Sequence, residues 1–164
     1  MKIKNSKGVT MLEMMIIAVV IGVTSLLAIP RFGKIMDRLK LKTTGKEMVA
    51  SLRLARSSAV SQRSQFGVYF DLNSRKYILF ADVANPSSFT YDAGLDSVIA
   101  SKALPGNVDF GSTSFPNLVA IFRSSGSAAS SGSVQLTSSG QYSGSMTVDV
   151  LGSTGRVKLI SGET

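Results

Sequence analysis

Residues 9–29 form a run of 21 residues that carries one charge, Glu13, and the rest of the chain has to be arranged around it. As a helix rising about 1.5 Å per residue, the run is roughly 30 Å long, the thickness of a bilayer's hydrocarbon core. Lys2, Lys4 and Lys7 precede it, and Arg31, Lys34, Arg38, Lys40 and Lys42 follow it. A basic segment before a long apolar one reads as an export signal or a membrane helix. A cleaved secretory signal has a shorter apolar core and small residues at its cut, whereas this run ends in Ile29-Pro30-Arg31. The plain reading is one N-terminal membrane helix. Basic residues at both ends leave its orientation unset by the positive-inside rule. Glu13 fits an isolated anchor badly, because a charge near the bilayer centre costs about 2.5–3.5 kcal/mol and less towards an interface. Something should neutralise it.

The remaining length of a 164-residue chain suits one ordinary domain. The chain has no Cys and no His. That removes disulfides, thiol nucleophiles, the Ser-His-Asp triad, imidazole acid–base chemistry and the common zinc geometries. No Gly-rich run is followed by Gly-Lys-Ser/Thr, so a phosphate-binding loop is missing too. The expectation is a non-enzyme with no cofactor and no metal site. The formal charge of +8 is local: residues 31–63 hold nine basic and two acidic residues, and residues 65–164 hold six basic and seven acidic. A basic stalk therefore carries a nearly neutral head. Its charge reads as a solvated face helped by anionic lipid, or as a nucleic-acid surface.

Pro30, with Gly22 and Gly33 on either side, predicts a bend over residues 22–33. Beyond it, Met48, Leu52, Ala55 and Ala59 recur at helical spacing, with Lys46, Arg53, Arg56 and Arg63 mostly off that stripe. The helix should run to about Ser64, some 84 Å in all, with its apolar face on the domain that follows. From there the pattern becomes β-like. Residues 66–70 and 77–81 flank a hairpin turn, and 118–122, 134–136, 146–150 and 157–160 read as further strands. The Gly/Ser-rich stretches 124–133 and 138–145 read as loops. The middle is broken by Pro86, Pro105 and Pro116, and Asp92 and Asp96 within it read as solvated loop acids rather than the start of a calcium site.

Lys7-Gly8-Val9-Thr10-Met11-Leu12-Glu13 resembles the processing motif of type IV prepilins and type II secretion pseudopilins. The resemblance implies that a prepilin peptidase cuts after Gly8, that Val9 becomes the N-methylated first residue, and that Glu13 falls fifth in the mature chain. Family members usually have Phe where this chain has Val9. Gly22 and Pro30 fall where such helices carry a glycine and a proline. In a bundle of subunits Glu13 would pair with the free amine of its own or a neighbouring chain and set the stagger of assembly. The implied partners are the peptidase, other pilins or pseudopilins, and an inner-membrane assembly platform.

A narrower resemblance, to the GspH/FimT group of minor pilins and pseudopilins, lies in Leu52-Arg53-Leu54-Ala55-Arg56-Ser57-Ser58-Ala59-Val60 and in three later stretches. These are Ile121-Phe122-Arg123-Ser124-Ser125-Gly126, Gly132-Ser133-Val134-Gln135-Leu136, and Val148-Asp149-Val150 leading into Gly155-Arg156-Val157-Lys158-Leu159. Residues 71–117 carry none of it. The fold implied is α+β: a long N-terminal helix on a head of two small antiparallel sheets. The segments would be a leader at 1–8, a transmembrane and assembly helix at 9–29, its amphipathic basic continuation at 30–64 and the head at 65–164. The implied role is a structural subunit at or near the tip of a pilus or secretion pseudopilus, held in the inner membrane with its head in the periplasm.

Some members of the group bind DNA during uptake through a Gly-Arg-x-Arg motif, which here reads Gly155-Arg156-Val157-Lys158. On a strand Arg156 and Lys158 share one face, where they would either meet phosphates or shield an edge strand from aggregation. A third reading keeps the helix as a mere tether for an exported binding module.

Overall fold

The computed structural model describes residues 8–162 and, within its helix, omits the side chains of residues 26–31. One helix, α1 (Met11–Gln62), precedes all the strands. Thr10 caps it, its hydroxyl accepting the Glu13 N–H at 3.3 Å, and Glu13 places negative charge in the first turn. Arg63 ends it in a left-handed conformation at φ 50°. The expected bend involves Gly22, where nothing lies within 4 Å of a would-be Cβ, and Pro30, which lies outside the described side chains.

Two antiparallel four-stranded sheets follow. The first is ordered β3-β2-β1-β5, from β1 (Gln65–Asp71), β2 (Lys76–Asp82), β3 (Ser97–Ala103) and β5 (Val119–Phe122). The second is ordered β4-β6-β7-β8, from β4 (Val108–Thr113), β6 (Gly132–Ser139), β7 (Ser143–Leu151) and β8 (Arg156–Gly162). Both sheets pack on the C-terminal half of α1. Met48, Leu52, Ala55 and Ala59 are fully buried there, and Leu41 extends the stripe two turns upstream. They meet Phe66, Val68 and Phe70 of β1, Phe122 of β5, and Val134, Leu136, Val148 and Val150 of the second sheet in one core. The fold class is the one that the sequence implied.

Three details differ from the sequence reading. The stretch 138–145 is not a loop: Ser138 and Ser139 close β6, Ser143 opens β7, and only residues 140–142 turn. Alternation explains it, since Ser138 points inward at 7% exposure and continues the buried positions of β6. The unreadable middle contains β3 and β4. β3 is an edge strand with almost no buried residue, so it has no hydrophobic alternation to betray it.

Asp96, read as solvated, is buried. One of its carboxylate oxygens accepts the N–H groups of Val83 and Ala84 at 3.1 and 3.2 Å, and the other accepts the Asp92 N–H at 2.8 Å. It staples segment 83–96, which lies over the outer face of the first sheet. Phe89 and Tyr91 of that segment pack with Tyr69, Phe80, Val119 and Ile121, and Tyr91 stacks on Tyr69 at 4.9 Å. β1, β2 and β5 of the first sheet are therefore covered on both faces, while β3 stays open.

Candidate functional site

Two regions hold the residues singled out from the sequence. The first is the N-terminal half of α1, and none of the described residues covers it. Met11 is 84% exposed, Val9 59%, and the large apolar residues through Val23 are likewise exposed. Glu13 is exposed, with its backbone capped by Thr10. No neighbour lies within 4 Å of a Cβ placed on Gly8. Among the described residues no helix is long and apolar enough to cross a membrane. The apolar run 9–29 extends into residues 26–31, beyond the described side chains.

The second region is β8, one of the two edge strands of the second sheet. Arg156 and Lys158 are exposed on one face and Val157 is buried on the other, the alternation of a strand. Lys158 stands opposite Asp149 in register, so a carboxylate neighbours one of the two cations. Gly155 has a local structural cause. It sits at φ +62°, and a Cβ there would collide with the Gly126 carbonyl oxygen and press on the Arg56 guanidinium. The glycine of the motif thus serves the β7–β8 turn itself.

The basic stalk is partly occupied by the head. Arg56 Nε donates to the Gly126 carbonyl at 2.9 Å, and Arg53 Nη2 donates to the Val157 carbonyl at 3.4 Å. Beside them Lys46, Val49, Ala50 and Arg53 line a shallow groove together with Leu159 of β8. Arg53 and Arg56 are therefore both surface cations and fasteners between helix and head. Sequence reading saw only their charge, because hydrogen bonds to distant carbonyls leave no pattern in a sequence.

Asp37 was missed for the same reason. Its carboxylate accepts the Gln141 backbone N–H at 2.6 Å and the Asn107 side-chain N–H. An acid in a basic stretch is the one signal that set it apart. Among the described residues no three His, Cys, Asp or Glu gather closely enough to hold a metal ion by themselves. The arrangement offers exposed apolar surface, a cationic edge and rigid fasteners, which are the means of assembly and binding.

Comparison with known proteins agrees with this architecture. The family model for type II transport protein GspH matches residues 44–154. Among solved structures, the minor pseudopilin EpsH from the type 2 secretion system of Vibrio cholerae superposes with a TM-score of 0.57 at 18% identity, covering 76% of this chain and 99% of that one. The type IV minor pilin FimU of Pseudomonas aeruginosa superposes with a TM-score of 0.59 at 17% identity, covering 77% of this chain and 92% of that one. At such identities the likeness is one of fold. No curated protein matches by sequence.

Proposed function

The chain belongs to the GspH family of minor pseudopilins and pilins, structural subunits and not enzymes, and from that premise we propose its place in a fibre. It is a precursor cut after Gly8 by a prepilin peptidase and N-methylated on Val9. It is held in the inner membrane by residues 9–29, with its head in the periplasm, until an inner-membrane platform adds it at or near the tip of a type II secretion pseudopilus or a type IV pilus. The observation that carries this reading is the division of α1. Its C-terminal half is buried against both sheets, while its N-terminal half presents an apolar surface that no other described part of the chain covers. Lipid covers that surface before assembly and the helices of neighbouring pilins cover it afterwards. Glu13 then pairs with the Val9 amine of its own or an adjacent subunit and sets their stagger.

Replacing Glu13 by Leu tests the reading. The precursor should remain in the membrane fraction and be cleaved, yet be lost from sheared fibres. A variant that still enters fibres would leave the helix a mere tether for an exported head.

A second reading rests on the shared exposed face of Arg156 and Lys158. In it, the edge strand β8 contacts the phosphates of DNA in the manner of FimT-like minor pilins that serve uptake.

A further inference from the structure

The outer face of the first sheet holds a polar feature that neither fibre assembly nor a cationic edge accounts for. Asp82, the last residue of β2, is 1% exposed, and neither of its carboxylate oxygens has a hydrogen-bond partner among the described residues. Its neighbours make matters worse. Across β1 it stands opposite Gln65, whose side-chain oxygen is also buried and unpartnered. On the other side β2 pairs with β3 through Phe80↔Val98 and Ala81↔Ser97, and one more step of that register sets Asp82 opposite Asp96. Residues directly opposite in an antiparallel pair point to the same face. Gln65, Asp82 and Asp96 therefore form a row of oxygen-bearing side chains, and the stapled segment 83–96 covers them.

Two carboxylates directly opposite each other repel, and a buried one without a donor is costly. Burial first, then Asp96, then Asp92 push the Asp82 carboxyl above its ordinary value of 3.8. The Asn85 backbone amide opposes the rise without closing a hydrogen bond of good geometry. Among the described residues the ion pairs involve Asp71, Asp109 and Glu47, and none reaches the row. The surplus is one of acceptors, and what satisfies acceptors is a proton or a cation.

We propose that Asp82, Asp96 and Gln65 hold a hard divalent cation of the calcium type beneath segment 83–96. The donor set is all oxygen, with two carboxylates and one amide carbonyl, which suits calcium and not softer metals. Calcium tolerates irregular geometry and can fill its remaining positions with backbone carbonyls or water, whereas magnesium demands a near-ideal octahedron, which two carboxylates and an amide along one strand row do not build. Asp96 can contribute because its oxygen facing the Asp92 N–H accepts only that bond. Two jobs then fall to one residue: Asp96 staples the segment through its N–H contacts and joins it to the sheet through the ion. The cation would set how firmly segment 83–96, with Phe89 and Tyr91, is clamped on the head.

The test uses the full chain in detergent micelles after treatment with a chelator. Calcium chloride at about a hundredfold excess over its dissociation constant should raise the melting temperature by roughly 5–10 °C. Magnesium should not. Terbium should replace calcium and luminesce on tyrosine excitation, since Tyr91 adjoins Asp92 in the covering segment. Asp82→Asn should abolish both responses, and Asp149→Asn, on the other sheet, should keep them. Should Asp82→Asn fail to fold, Gln65→Met removes one donor at similar size and should weaken terbium binding at least tenfold. The absence of a calcium shift in the native chain overturns the proposal and leaves a shared proton between the two acids. A calcium shift of equal size in Asp82→Asn, or an equal response to magnesium, overturns it as well.

Discussion

The Asp37 carboxylate on the stalk accepts the backbone N–H of Gln141, 104 residues further along the chain, at 2.6 Å. The same carboxylate accepts Asn107, so one acidic side chain ties α1 to the β6–β7 turn and to the approach to β4. Gly140 permits this, since a Cβ there would strike the Asp37 carboxylate. Gln141 also lies against Gly33, so the β6–β7 turn meets α1 close to its apolar half.

Asp37→Ala should therefore lower stability by about 2 kcal/mol, the scale of a lost hydrogen bond to a charged group. Hydrogen exchange should quicken at residues 140–142 while the core of the first sheet stays protected. Uniform loss of protection across both sheets would mean that the contact supports the whole fold rather than one joint.

Gly155→Ala separates backbone geometry from any binding role of the motif. At φ +62°, facing the Gly126 carbonyl, the alanine should cost more than about 1 kcal/mol and displace Arg56 from that carbonyl. Thermal unfolding checks it. A neutral result would show that the turn relaxes, and that the glycine is kept for something other than this packing.

The cationic edge is tested by titrating DNA across a salt series. If Arg156 and Lys158 each meet a phosphate, Arg156→Ala/Lys158→Ala should reduce the log–log salt slope by about 2 units or slightly less. Unchanged binding would assign any affinity to the basic stalk and leave β8 as a guarded edge strand.

In metal-free solution Asp82 should shape the dependence of stability on pH. Below the ordinary value of 3.8 the carboxyl is protonated in both folded and unfolded chains and costs nothing. As pH rises, the unfolded chain releases its proton first, and the folded state loses stability until the raised folded value is passed. Asp82→Asn should thus match the native chain below the ordinary value of 3.8 and melt increasingly higher as pH rises above it in the presence of chelator. Parallel melting curves at every pH would show that Asp82 titrates normally.

The stalk stripe and six strands were legible because each carries alternation or helical spacing of large apolar residues. Met48, Leu52, Ala55 and Ala59 announce their face, and Phe66, Val68 and Phe70 announce theirs. What was illegible lacks such a period. β3 is exposed along nearly its whole length, and segment 83–96 buries Phe89 and Tyr91 from an irregular backbone. Of the candidate sites, the exposure of Arg156 and Lys158 followed from alternation in a strand. The row Gln65, Asp82, Asp96 did not, because it exists only once three strands stand in register, and residue types alone placed Asp96 in water.

The fasteners between α1 and the head all reach far along the sequence: Asp37 to Gln141, Arg56 to Gly126, Arg53 to Val157. The side of the stalk that meets the second sheet therefore has no lasting cover until β6, β7 and β8 have been made and brought back to it. A chain halted before β8 would leave Gly45 and Val49, which Leu159 adjoins, open to solvent beside an unfinished sheet, a sticky species rather than a smaller stable one. Loss of a handful of residues from β8 should thus remove the whole subunit from the cell by proteolysis, long before any question of binding arises.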